Sequence, residues 1–140
     1  SFLAKQREIK VKEVTVNKTD DLRNLISVTV KTDKEELTVS GTVFFGDNIR
    51  IIKIGDYNVD IAPFGYILLS KNGDVPGVVG KLGTKLAEAG INIANMQVSR
   101  NSEKKEALMA TTIDTDLKPE VLEDIRNISV IKEARIIYLG

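Results

Sequence analysis

Two segments that begin alike constrain this chain most: Pro76-x-Val78-Val79-x-x-Leu82 is echoed forty-three residues later by Pro119-x-Val121-Leu122-x-x-Ile125. A proline suits the first turn of a helix, where its missing N–H is not needed, and the apolar residues behind it recur at helical spacing. The pattern predicts one helix from Val75 or Pro76 to Ala89 and another from Pro119 to Asn127. Gly90 closes the first, because glycine takes the left-handed conformation that ends many helices. Around them, the runs from Tyr66 to Ser70, Ile91 to Arg100, Ala107 to Asp114 and Val130 to Leu139 read as strands. Beyond Pro63 the order is therefore βαββαβ, a ferredoxin-like unit of two right-handed βαβ halves on an antiparallel four-stranded sheet.

Upstream of Pro63 the grammar is that of a β meander. Leu37, Val39, Gly41 and Val43 alternate with Thr38, Ser40, Thr42 and Phe44. Ile26, Val28 and Val30 alternate with Ser27 and Thr29, and pair with the next strand across a loop holding Lys34 and Glu35. Gly46-Asp47-Asn48 turns the chain into a strand from Ile49 to Ile54, and Gly55-Asp56 separates that from Tyr57 to Ile61. The first residues, to about Glu8, read as a short helix. The fold class expected is α+β: a small, mostly antiparallel β domain over residues 1–62, followed by the βαββαβ domain over residues 63–140.

Composition narrows the chemistry. Twenty basic and twenty acidic residues give no net charge, so no global field recruits nucleic acid or an anionic membrane. No apolar run approaches the roughly 20 residues of a membrane helix. Lys5, Arg7, Glu8 and Lys10 interrupt any signal-peptide pattern, and a cytoplasmic location is expected. With no Cys and no His, the chain has no thiol nucleophile, imidazole base, disulfide or thiolate–imidazole metal site. Asp47, Asp56, Asp60, Asp74 and Asp114 fall near turns or strand ends, where capping and turn chemistry accounts for most of them. No catalytic residue and no metal site are assigned, and a small, specific ligand is the expected partner.

The first helix holds the candidate site. Gly77, Gly80 and Gly83 each cost a helix about 1 kcal/mol relative to alanine. Close packing on the sheet accounts for Gly80 and Gly83. Gly77, in the first turn, leaves backbone N–H groups open to a carboxylate, and the helix dipole favours negative charge there. Asn72 and Asp74 precede this terminus, and Asn92 lies near the same end if the helix packs antiparallel to its strand. Together they would hold an ammonium and a hydroxyl. Each also has a plainer role: Asp74 as a helix cap, Asn92 as a turn residue at a strand start, Asn72 as a structural polar group. The edge strands of such a sheet invite self-association into an eight-stranded sheet with ligand pockets at the seam.

From Phe64 to Leu139 the chain resembles the ACT regulatory domain, an amino-acid-binding βαββαβ module. The marks are Asn72-x-Asp74-x-Pro76-Gly77-Val78, Ala87-Glu88-Ala89-Gly90-Ile91-Asn92-Ile93-Ala94, Met96-Gln97-Val98-x-Arg100 and Glu106-Ala107-Leu108-Met109. Asn24-Leu25-Ile26-x-Val28, Val39-Ser40-Gly41-Thr42-Val43 and Arg50-Ile51-Ile52-x-Ile54 resemble the allosteric substrate-binding domain that precedes this module in long-form D-3-phosphoglycerate dehydrogenases. The resemblance implies a regulatory region of an NAD-dependent enzyme that oxidises 3-phosphoglycerate in serine synthesis. The region would bind L-serine or another small amino acid for feedback inhibition, and would self-associate through its ACT domains. It implies serine contacts at Asn72, Asp74 and Asn92, with the amides near Val78 and Val79 facing the carboxylate. Val75 stands where an arginine is common. Arg50 falls where some relatives carry a basic residue for an anionic effector.

No cofactor is expected in this chain, because Gly77, Gly80 and Gly83 do not match the G-x-G-x-x-G fingerprint; NAD would belong to catalytic and nucleotide-binding domains elsewhere in the parent protein. Two other readings stay open: the regulatory β-chain region of an iron–sulfur L-serine dehydratase, and a free-standing ACT-type sensor. An RNA-recognition module shares the βαββαβ order, but residues 91–100 and 105–114 contain no aromatic residue on which a base would stack.

Overall fold

The structure, a computed structural model, describes residues 10–17, 25–31, 36–44 and 48–140. The short helix expected up to Glu8 and the loop positions 34–35 and 46–47 lie outside the described residues. Two compact units are present, Ser1–Pro63 and Phe64–Gly140.

In the first unit, β1 (Lys10–Asn17), β2 (Leu25–Lys31), β3 (Glu36–Phe44), β4 (Asn48–Ile54) and β5 (Tyr57–Ile61) pair in chain order as an antiparallel meander. The sequence reading had assigned no strand to β1, whose β-branched Val14, Thr15 and Val16 pair with Val28, Ser27 and Ile26. Val28 sits opposite Val39, and Ser27 opposite Ser40, where the two hydroxyls hydrogen-bond at 2.9 Å. Such matching pins the register, since a one-residue slip would send every side chain to the other face. Tyr57, Val59 and Ile61 are buried while Asn58 and Asp60 are exposed, the period of two expected of a half-buried strand.

The second unit runs β6 (Tyr66–Gly73), α1 (Val78–Glu88), β7 (Ile93–Asn101), β8 (Glu106–Ile113), α2 (Pro119–Arg126), β9 (Ile131–Tyr138). Its sheet has the order β7-β8-β6-β9 with every neighbouring pair antiparallel, the ferredoxin-like arrangement. Leu68, Met109, Ile113, Ala134 and Ile136 of the sheet meet Val78, Leu82 and Leu86 of α1 and Ile125 of α2 in one core. Val78, Leu82 and Leu86 recur every fourth residue, which puts them on one stripe of α1.

The first helix starts later than its sequence suggests. Gly77 has φ 90° and ψ −8°, so Pro76-Gly77 makes the centre of a type II turn, and helical geometry begins at Val78. A residue held in the left-handed region cannot continue an α-helix, and this keeps Pro76 outside it. At the other end Gly90 takes φ 72°, its N–H donates to Ala87 O and the Ile91 N–H donates to Leu86 O. That pair of bonds is the Schellman closure the glycine permits.

Gly80 and Gly83 do not pack closely on the sheet. A Cβ added at either would have no atom within 4 Å, because both point away from the buried stripe. The space at Gly80 opens into a surface depression of 370 Å³ bordered by Lys81, Thr84, Lys85 and Ile128. Close packing therefore does not explain them in the single chain. Gly80→Ala and Gly83→Ala should each raise the unfolding free energy by about 1 kcal/mol in urea denaturation, the helix-propensity difference with no steric opposition.

Candidate functional site

Each sequence-predicted residue has a definite place in the fold. Asn72 ends β6 on the face that carries the helices, with only 3% of its surface exposed. Its Nδ2 donates to the Gly73 carbonyl at 2.7 Å, while Oδ1 is buried without a hydrogen-bond partner. Ser70 Oγ and Thr111 Oγ1 share that condition, but only Asn72 lies at the end of the strand that leads into α1. A buried unpaired oxygen costs about 1–3 kcal/mol, which marks Asn72 as a group with unused accepting capacity.

The chain between β6 and α1 is held at several points. The Asp74 N–H donates to Lys105 O at 3.0 Å, and the Val75 N–H to Gly73 O at 2.9 Å. Lys105, in the turn from β7 to β8, takes φ 52°, a conformation a non-glycine residue adopts only under local constraint. Asp74 accepts from Arg100 Nε at 2.8 Å. It caps nothing, because α1 has no side-chain cap at all and no acidic residue in its first turn. The first bond of the helix runs from the Lys81 N–H to Gly77 O, so the amides of Val78, Val79 and Gly80 precede any intrahelical acceptor. Val78 is buried with its side chain in the core, and Val79 is 47% exposed. An uncapped helix start with the positive dipole end is suited to an anionic oxygen.

Asn92 is elsewhere. Asn72 pairs with Ala107 of β8, whereas Ile93, the residue after Asn92, pairs with Ile113 at the other end of that strand. Six residues of β8 separate the two positions, about 20 Å at the rise of a strand. The helix carries the chain back to where β6 begins, and β7 then runs parallel to β6, so its first residue is far from the start of α1. Sequence reasoning had put them at one end, and the topology places them at opposite ends. Asn92 Nδ2 donates to Asp114 Oδ2 at 2.9 Å, and the Asp114 N–H returns a bond to Asn92 O. In one chain, then, Asn72, Asp74 and the amides of Val78 and Val79 come together and Asn92 does not.

Arg50 lies on β4 in the first unit. Its Nε donates to Asp60 Oδ1 at 2.6 Å and its Nη2 to the Asp60 carbonyl at 3.0 Å, so two of its donors are already engaged. In the second unit, near the start of α1, Glu106 at the head of β8 accepts from Lys132. That bond, with the nearby charges of Lys132, Lys71 and Lys104, holds its carboxyl below the usual carboxylate range. Among the described residues no helix is long and apolar enough to cross a membrane.

Residues 1–55 match the D-3-phosphoglycerate dehydrogenase intervening domain, and residues 66–130 match the ACT domain. The chain joins these two regulatory modules. Curated relatives match the chain over nearly its whole length. It is 35% identical over 139 residues to a D-3-phosphoglycerate dehydrogenase of Archaeoglobus fulgidus and 33% identical over 139 residues to that of Bacillus subtilis, covering 98% of this chain in each case. A third, from Methanocaldococcus jannaschii, is 32% identical over 138 residues, 99% of this chain. The alignments take in 26% of each relative, so the chain spans about a quarter of the length of the curated relatives it matches. Within the ACT domain, Asn72 and Asp74 stand between β6 and the start of α1.

Arg100 was part of the motif from Met96 to Arg100 but had no role assigned from sequence. Its position as the last charged residue of β7 before a polar turn was the available signal. Its partner Asp74 lies 26 residues away, which no local pattern reports.

Proposed function

We propose that this chain is the regulatory region of an NAD-dependent D-3-phosphoglycerate dehydrogenase of serine synthesis. Its ACT domain would bind L-serine for feedback inhibition at a site shared between two copies. The observation that carries the reading is the separation just described. Asn72, Asp74 and the first α1 amides sit at one end of the sheet, and Asn92 sits at the other, at the start of an edge strand. β7 pairs with β8 on one side only among the described strands, so its second edge is available. Two β7 strands pairing antiparallel about their midpoint at Gln97 would extend the sheet to eight strands and bring Asn92 of the partner subunit beside the α1 start of the first.

In this arrangement the amides of Val78 and Val79 face the ligand carboxylate, and Asp74 accepts from its ammonium. Asn72 Oδ1 and the partner's Asn92 take the remaining polar groups. Ligand spanning the seam favours the paired state, and that differential free energy, typically 1–3 kcal/mol, is what would restrain the attached catalytic domains. NAD is assigned to those domains. Gly77, Gly80 and Gly83 sit in a turn and along a helix rather than at the spacing of a dinucleotide fingerprint. An anionic effector at Arg50 remains part of the proposal for the first unit, with Asp60 as its competitor for the guanidinium.

Calorimetric titration of the 140-residue chain with L-serine, D-serine and glycine tests the reading. Saturable heat with preference for L-serine is expected. Absence of heat for all three would overturn the amino-acid-binding function.

A further inference from the structure

The corner at the start of α1 contains an ion pair whose cation, Arg100, the serine contacts named so far do not use. On β7 the residues Met96, Val98 and Arg100 pair with Thr111, Met109 and Ala107 of β8, and Met109 lies in the core beneath the helices. Cross-strand partners share a face, so Arg100 starts from the helix-facing side of the sheet. Asn72 pairs with Ala107 from the other side. Arg100, Ala107 and Asn72 thus form one row across three strands, with the two polar residues about 10 Å apart at twice the strand spacing. Ala107 between them is fully buried and its methyl group leaves the space above it to larger neighbours. Asp74 closes the row from above by accepting from Arg100 Nε.

The bond is one-sided. A guanidinium has five donors, and Asp74 is bound at Nε through Oδ2, which leaves the Nη fork of Arg100 and Oδ1 of Asp74. Arg100 is 72% exposed and Asp74 22%, so ligand reaches both groups without unfolding anything.

We propose that Arg100 and Asp74 form a dipolar clamp for an α-amino acid: the Nη fork takes the carboxylate, alongside the first α1 amides, while Asp74 Oδ1 takes the ammonium. This rests on reading the corner as an amino-acid site and adds the residue that sets its selectivity. The clamp is neutral as a pair, and a zwitterion inserted into it leaves every charge opposite its counterpart. A hydroxy acid would leave Asp74 facing no cation, and an amine without a carboxylate would leave the fork unfilled. The buried Asn72 Oδ1, which has no partner, lies at the far end of the same row to accept a side-chain hydroxyl or the ammonium.

The test is calorimetric titration of the 140-residue chain and its Arg100→Gln variant with L-serine and with L-serinamide, which keeps the ammonium and hydroxyl but has no carboxylate. Arg100→Gln should weaken L-serine about tenfold, the worth of one charge-assisted bond at an exposed site, and leave L-serinamide within about twofold. Asp74→Asn should weaken both. Thermal melting by circular dichroism is expected to be unchanged in Arg100→Gln, given its exposure. Equal or tighter L-serine binding by Arg100→Gln overturns the clamp and makes Arg100 a competitor for Asp74. An equal loss for both ligands overturns it as a general structural effect. Wild-type chain that binds neither ligand removes the amino-acid reading itself, and the clamp with it.

Discussion

Mixed in equal amounts and allowed to exchange, Asn72→Ala and Asn92→Ala chains should recover about one quarter of the wild-type L-serine sites, although neither variant binds alone. The figure follows from the geometry of a shared site. Each site takes Asn72 from one copy and the partner subunit's Asn92, so a homodimer of either variant has both of its sites broken. In a heterodimer one site collects both lesions and the other collects none. Random exchange makes about half the dimers heterodimers, each with one intact site of two. Calorimetric stoichiometry reads the result directly. A site built within one chain would give no recovery, because every chain would carry its own lesion. The prediction has force because about 20 Å of β8 separates the two positions in a single chain, more than a three-carbon amino acid can span.

Leu82→Ala is expected to cost about 3–4 kcal/mol in the denaturation of this chain, within the range for emptying a fully buried leucine site. Leu82 has no exposed surface and sits at the middle of the α1 stripe, between Val78 and Leu86, in the core cluster that includes Leu68 and Met109. The neighbours are anchored on two strands and a second helix, so the site cannot collapse to fill the space. Val79→Ala, one helical position outside that stripe and 47% exposed, should change stability by less than about 0.5 kcal/mol. Urea midpoints at constant slope separate the two. Similar losses at both positions would mean that the exposed face of α1 is covered, by a second copy or otherwise.

Local chemistry accounts for much of what proved readable. Gly90 was placed as a helix stop because few residues besides glycine take a left-handed turn without strain, and Pro119 as a helix start because its ring pre-sets φ. Gly55-Asp56 marked the break between β4 and the strand from Tyr57 to Ile61. Pro76 misled by two residues: the same dipeptide that opens helices also makes type II turns, and the φ of Gly77 decided between them. β1 escaped notice since its few β-branched residues stand among charges, and only pairing with β2 makes a strand of them.

The order of elements, the change of architecture after Pro63 and the resemblance to the two regulatory modules were legible in the residues alone. All three depend on patterns within a few residues or on motifs read as strings. That Asn92 stands apart from Asn72 and Asp74, that Gly80 and Gly83 face open space and that Arg100 meets Asp74 emerge only in the folded chain. Those outcomes depend on the direction in which a helix returns the chain and on which strands become neighbours. Such contacts are set by the packing of distant segments, and no spacing along the chain encodes the distance between them.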